Sequence, residues 1–424
     1  MNNLDRFFLF IFLCIQVNFF DFIDIRNTSL NNFSSYAQKK LLLATILLYL
    51  FIRFVFFNHR ISLKKKSFDF FIVFLFLSVI IVTFASSAKF QQGIFQTFLM
   101  SYFFFVLILF FPYSRILNNW ADWVEVTRYF AIFSFVLSLT KLLQSFVLAH
   151  MHIQLFHLNT LLDYNTAIQL KYMVFGFTRI PSATDFVFFS SCLILICTIA
   201  NKAPFSKKIC YFLLGVNFLY LLLVGQTRSY IVLLMAVIIL YVLMLLEKRY
   251  GLTMTIFISV CAALPAFIIL SIVLNKILFG NSDRVISLSI RSLAIQYYLN
   301  NINLNGWYAI GFARDDLFGT IVHGPTLNYN FDDVGIVGFV GRLGYLGIAN
   351  LIVYLLSLVT VFFKSKVKSL TVMILTVSFG TSASVSYFDP QRIFYLPILL
   401  ALLVFFTSSN SKEENVLSDV GGNK

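Results

Sequence analysis

Four arginines occupy positions where a lone cation is costly. Arg284 and Arg291, in "NSDRVISLSIRSLAIQYYL", are seven residues apart. That spacing is nearly two helical turns, so on a helix both guanidinia leave the same face. Arg228, in "VGQTRSY", opens a helix, the end at which the macrodipole is already positive, and a cation there calls for a nearby anion. Arg179 lies in "GFTRIPSATDF". Arginine's planar fork captures phosphate oxygens two at a time, so four arginines gathered at one level would suit a pyrophosphate. Singly, each has a plainer use: snorkelling to lipid headgroups, or pairing with an acid such as Asp185 or Asp283.

A second group lies in "FARDDLFGTIVHGPTLNYNFDDVGIVGFVGRLGYLG". Here His323, Asp332 and Asp333, besides Asp315 and Asp316, are candidate proton acceptors for a hydroxyl, a task that needs a carboxylate or imidazole within hydrogen-bond reach. The plainer alternatives are solvated loop acids, or Asp332 capping the helix that follows. Gly335, Gly338, Gly341, Gly344 and Gly347 recur every third residue, a pattern commoner in helix packing than in ligand sites, and Arg342 sits among them. No metal site or cofactor is expected. Asp21 and Asp24 lack a third ligand, and His150, His152 and His157 do not share a helix face. The five cysteines lie in apolar segments without a CxxC, and Walker A, HExxH and GxSxG motifs are absent.

The elements that must position these residues are set by composition. Of 424 residues 59% are hydrophobic, 53 are Phe, and only 12% are charged. A soluble domain carries about 25% charged residues, so lipid is the expected solvent. Continuous apolar runs favour helices over a barrel. Twelve spans are predicted, at 7–20, 41–57, 68–85, 94–112, 129–148, 185–201, 209–225, 229–246, 252–274, 336–363, 369–387 and 393–407. The apolar start is read as an uncleaved first helix rather than a signal peptide. With that end inside, Arg60 with Lys64–Lys66, then Lys202, Lys207 and Lys208, then Lys248 and Arg249, then Lys364, Lys366 and Lys368 all face the cytoplasm. This explains the net charge of +14 without a nucleic-acid partner. Residues 1–407 form one polytopic all-α domain with long outer loops at 149–184 and 275–335 that contain short helices, and 408–424 is a disordered cytoplasmic tail. The tenth run is too long for one crossing. A short re-entrant piece at 335–342 ahead of the true span would account for its length and for Arg342.

This arrangement resembles the Wzy-type polymerases of O-antigen, capsular and exopolysaccharide repeat units, within the O-antigen polymerase and ligase superfamily. The likeness rests on the topology of nearly the whole chain and on four loose motifs. These are "TRIPSATD"; "GQTRSY" opening a helix; Gly306–Trp307 with Gly311–Phe312; and Asp333 ahead of Gly335 and Gly338. His323 lies twelve residues before Gly335, farther than ligases place their histidine.

The resemblance implies a glycosyltransferase at the outer face of the bacterial cytoplasmic membrane, with both termini inside. Its donor would be an oligosaccharide on undecaprenyl pyrophosphate, attacked at the anomeric carbon by a hydroxyl of the acceptor repeat unit. It is expected to be metal-independent, with arginines stabilising the leaving charge. Arg179, Arg228, Arg284 and Arg291 would then meet the pyrophosphate and adjoining sugar, with Arg342 and Trp307 in the same site. Asp333 is the first choice of base, then His323, with Asp332 beside them. The partners implied are the lipid-linked oligosaccharide, the bilayer, a flippase and a chain-length regulator. Two rivals remain: a ligase moving finished glycan to a lipid or protein acceptor, and a flippase or transporter of the lipid-linked precursor. A transporter would be expected to hold ionisable groups within the bundle, where Arg53 and Lys141 stand almost alone.

Overall fold

The computed structural model describes residues 1–23, 39–56, 66–157, 173–180, 183–274, 282–382 and 385–408. Asp24, Lys64, Lys65 and the tail from 409 lie outside the described residues, as do the side chains of Asp283 and Arg284. The helices are α1 (Asn3–Gln16), α2 (Lys40–Phe56), α3 (Asp69–Phe90), α4 (Ile94–Ile116, with a 3-10 middle), α5 (Trp120–Met151), α6 (Thr184–Ile199), α7 (Lys207–Gly225, ending in a π turn) and α8 (Arg228–Leu274). After them come α9 (Ser282–Asn305), α10 (Asp315–Val322), α11 (Ile336–Lys364), α12 (Lys368–Ser382) and α13 (Tyr395–Ser408). A two-stranded hairpin, β1 (Met173–Val174) with β2 (Phe177–Thr178), precedes α6.

Helix lies under all twelve predicted runs. Among the described residues, six helices are long and apolar enough to cross a membrane by length and composition: Asp69–Phe90, Ile94–Ile116, Trp120–Met151, Lys207–Gly225, Arg228–Glu247 and Ile336–Lys364. The shortest helices, such as α1, fall short for a physical reason. At 1.5 Å per residue the 14 residues of α1 reach about 21 Å, against a hydrocarbon core of roughly 30 Å. Large apolar side chains point away from the protein on these helices, with Phe54 77% and Phe363 72% exposed. Water would penalise such a surface, whereas lipid does not.

Two backbone breaks shape the long helices. Gly251 (φ 79°, ψ 168°) divides α8 where the sequence places a boundary between two spans. Gly344 (φ 59°, ψ −138°) divides α11, two residues past the predicted end of the re-entrant piece. The interior is organised around two short, mainly apolar helices, α6 and α13. Every residue of α6 is buried, among α5, α7, α8 and α12. α13 is walled in by α4, α11 and α12.

The second long polar stretch folds more fully than expected. Its α9 is a 24-residue helix, not a short one. Ala294, Tyr298, Ile310, Ala313, Val322, Tyr329, Phe331 and Val334 close with Phe90 into a small apolar core of their own. The result is a cap seated on the start of α11.

Charged pairs mark the opposite end of the bundle. There Arg115 at the end of α4 meets Asp69 at the start of α3 (2.7 Å), Arg53 meets Asp5, and Arg6 meets Glu125 (2.6 Å). Arg128 donates to the Pro204 carbonyl (3.4 Å) and the Lys366 amide to the Phe406 carbonyl (3.2 Å). These contacts fix Lys66, Lys202, Lys207, Lys208, Lys364, Lys366 and Lys368 at that same end.

Candidate functional site

The break at Gly344 builds the site. In an unbroken helix the carbonyls of Gly341 and Arg342 would accept from residues 345 and 346. Here they accept instead from the amides of Ile310 (3.2 Å) and Gly311 (3.0 Å). The segment 309–314 is held further by Ser86, whose hydroxyl accepts from the Phe312 amide (2.9 Å), and by Gln92, whose amide donates to the Phe312 carbonyl (2.7 Å). The start of α11 lies so close to the Phe331–Asp333 turn that a Cβ at Gly338 would strike the Phe331 carbonyl. Gly338 and Gly341 thus act as packing residues, the plainer of the two roles open to that glycine series.

Arg342 and Arg291 meet the two aspartates of that turn. Arg342 lies over the Phe331 ring (4.4 Å) and the Phe103 ring (5.5 Å), with Nη2 3.7 Å from Asp332 Oδ1. That oxygen is buried and has no hydrogen-bond partner among the described residues. Arg291, on α9, places Nη2 3.8 Å from Asp333 Oδ1, and both side chains are half exposed. Phe331 is stacked on Tyr298 (4.4 Å), which ties the turn to the cap. Burial, and then the neighbouring charges of Tyr297, Asp332 and Asp333 against that of Arg342, push the Tyr298 phenol up.

Beneath this lies Arg392, a residue outside the sequence-predicted set. Arg392, in the connection between α12 and α13, donates from Nε to the Tyr230 hydroxyl (2.9 Å) and from Nη1 to Asp389 Oδ2 (2.6 Å) and to the Asp332 carbonyl (3.3 Å). Burial opposes its charge, but Tyr230, Asp389, Asp185 and Asp332 hold it protonated. A polar chain continues inward: Gln16 donates to the Gln391 carbonyl (3.2 Å) and the Tyr395 hydroxyl (2.9 Å), and Lys39 Nζ donates to Gln16 Oε1 (2.8 Å). One signal could have found Arg392. Like the other four, it is an arginine where the chain turns between apolar runs, in "YFDPQRIFY", a place where a lone cation is costly.

The remaining predicted residues divide. Arg228 begins α8, two residues before Tyr230. Arg179 is exposed just after β2, and its segment is pinned to the α7–α8 turn, with the Ile180 amide on the Val224 carbonyl (3.2 Å) and the Thr227 and Thr184 hydroxyls 3.5 Å apart. Arg284 falls on α9 with Arg291, as the seven-residue spacing requires, but its side chain is outside the described residues. His323 stands apart from the aspartate turn. Its Nδ1 binds the Tyr329 carbonyl (2.8 Å), leaving Nε2 3.8 Å from Asp315. Trp307 is half exposed, edge-on to Tyr308, whose ring also meets the Lys89 ammonium (5.2 Å). Asp21 pairs with Lys141 and accepts from Asn18 (2.9 Å), so it is occupied within the protein.

No protein-family model matches this chain, and no curated protein sequence matches it. Guanidinia next to carboxylates, at one end of an apolar bundle, can neutralise a diphosphate while an acid takes a proton from a hydroxyl.

Proposed function

We propose that the chain polymerises oligosaccharide repeat units carried on undecaprenyl pyrophosphate, by glycosyl transfer at the outer face of a bacterial cytoplasmic membrane. One observation carries this reading. Four separate stretches — the Arg228 turn, α9 with Arg291, the Asp332–Asp333 turn, and the start of α11 with Arg342 — converge at one end of the bundle. The lysine-rich short connections gather at the other end, which supports an outward-facing site.

In this reading Arg291 and Arg342 meet the diphosphate, with Arg179, Arg228 and Arg284 supplied from the adjoining segments. Trp307 offers a ring to a sugar. An aspartate of the turn takes the hydroxyl proton. The twelve crossings belong to the same proposal, the shorter helices spanning with help from their neighbours.

Reconstitution tests it. Purified protein in vesicles, given lipid-linked repeat unit, should yield a ladder of chains. Arg291→Ala and the double variant Asp332→Ala/Asp333→Ala should leave stable protein and unpolymerised units. Lipid crossing the vesicle membrane without chain growth would overturn the reading in favour of a flippase.

A further inference from the structure

Arg392 makes hydrogen bonds to three separate segments: the first turn of α8 through Tyr230, its own connection through Asp389, and the aspartate turn through the Asp332 carbonyl. Its side chain is 11% exposed and that of Asp389 5%. The first two bonds would anchor any buried guanidinium. The third is different, because it holds the backbone of the turn that carries the site's two aspartates.

Those two aspartates are not equivalent. The Asp333 carboxylate is 49% exposed and lies 3.8 Å from Arg291, so water reaches it freely. Asp332 keeps 30% exposure overall, yet its Oδ1 is buried with no hydrogen-bond partner among the described residues; Arg342 lies 3.7 Å from that oxygen, and the charges of Asp389 and Arg392 act on the same carboxylate. A buried carboxylate oxygen without a donor is costly, and such groups in native structures call for an explanation, a catalytic role among them. Because Oδ1 is closed off, a ligand meets Asp332 at the exposed part of its carboxylate, where a hydroxyl can both donate a hydrogen bond and give up a proton.

We propose that Asp332 receives the proton of the acceptor hydroxyl and that Arg392 is the positioning residue that holds it there. This rests on the glycosyl transfer proposed above. In that step the hydroxyl oxygen bonds to the anomeric carbon while its proton passes to Asp332. The bond from that carbon to the diphosphate oxygen breaks, and its electron pair leaves on the diphosphate. Asp333 then serves to balance Arg291.

The test is kinetic, in vesicles holding the full chain and a diphosphate-linked repeat unit. Asp332→Asn should lower kcat by about 10²–10⁴-fold, the contribution of a general base, with the donor KM unchanged. Arg392→Lys keeps the charge but loses the fork. It should lower kcat by about 10²-fold, the effect of misplacing a catalytic group by about 1 Å, again with the donor KM unchanged. The double variant R392K/D332N should be no slower than D332N alone, since nothing is left to position. Multiplying losses would mark Arg392 as merely structural, and a raised KM would mark it as a substrate contact. Either result overturns its assignment. Should Arg392→Lys fail to fold, Asp332→Asn against Asp333→Asn still decides: loss in D333N with activity kept in D332N overturns the role given to Asp332. A wild-type chain that makes no product sinks the glycosyl-transfer reading itself, and these assignments with it.

Discussion

At the scale of single residues, Arg342 is held by rings as much as by charge, lying between Phe331 and Phe103 beside Asp332. Arg342→Lys should keep the charge and lose the planar stacking, lowering thermal stability by about 1 kcal/mol, readable as a drop in Tm in detergent. Lys39 makes a pH prediction. Burial first, and then the charge of Arg392, lower its pKa from 10.5 to about 7. The unfolded chain keeps that proton to about pH 10, so between about pH 7 and pH 10 the folded state binds fewer protons. This part of the stability is present above that window, and is lost as pH falls through it. Tm should therefore rise with pH there, and Lys39→Met should flatten the rise; an unchanged slope in the variant refutes the assignment. Legibility at this scale followed surroundings. Arg291, Asp332 and Asp333 stand in a long polar stretch and drew attention. Lys39 and Arg392 each abut an apolar run, and their importance depends on which helix ends meet, which residue order alone does not give.

At the scale of elements, the break in α11 lets its first half serve the site. Gly344 holds φ 59° and ψ −138°, a region that side chains avoid. Gly344→Ala should cost about 1–3 kcal/mol in strain and displace the Gly341 and Arg342 carbonyls that hold residues 310 and 311, so chain growth should fall along with Tm. Normal chain growth in a stable Gly344→Ala protein would remove the break from the mechanism. The sequence exposed this break through the excessive length of the run from 336 to 363. It hid the cap for the opposite reason. Ala294, Tyr298 and Ile302 recur at helical spacing, but their hydropathy is modest beside that of the spans, and the stretch read as a loop.

At the scale of the whole molecule, the alternation of helix ends puts Arg291, Arg342 and Arg392 with the aspartate turn at one end and the lysine-rich short connections at the other. The membrane-impermeant maleimide test of that polarity is direct. In a cysteine-free background Asn328→Cys, on the exposed cap, should label in intact cells, whereas Lys208→Cys should label only after permeabilisation. The reverse pattern would put the site in the cytoplasm and end the polymerase proposal. The overall helical, lipid-facing character was legible from composition alone, because 59% apolar residues leave no other solvent. What composition could not show was that α6 has no lipid-facing side. That fact bears on biogenesis. The neighbours α7, α8 and α12 are synthesised after α6, so a nascent chain emerging only as far as Ile199 holds a 16-residue segment with most of its wall still missing. Its seat is sealed late, and the fidelity of assembly depends on how long the cell shelters that unfinished helix.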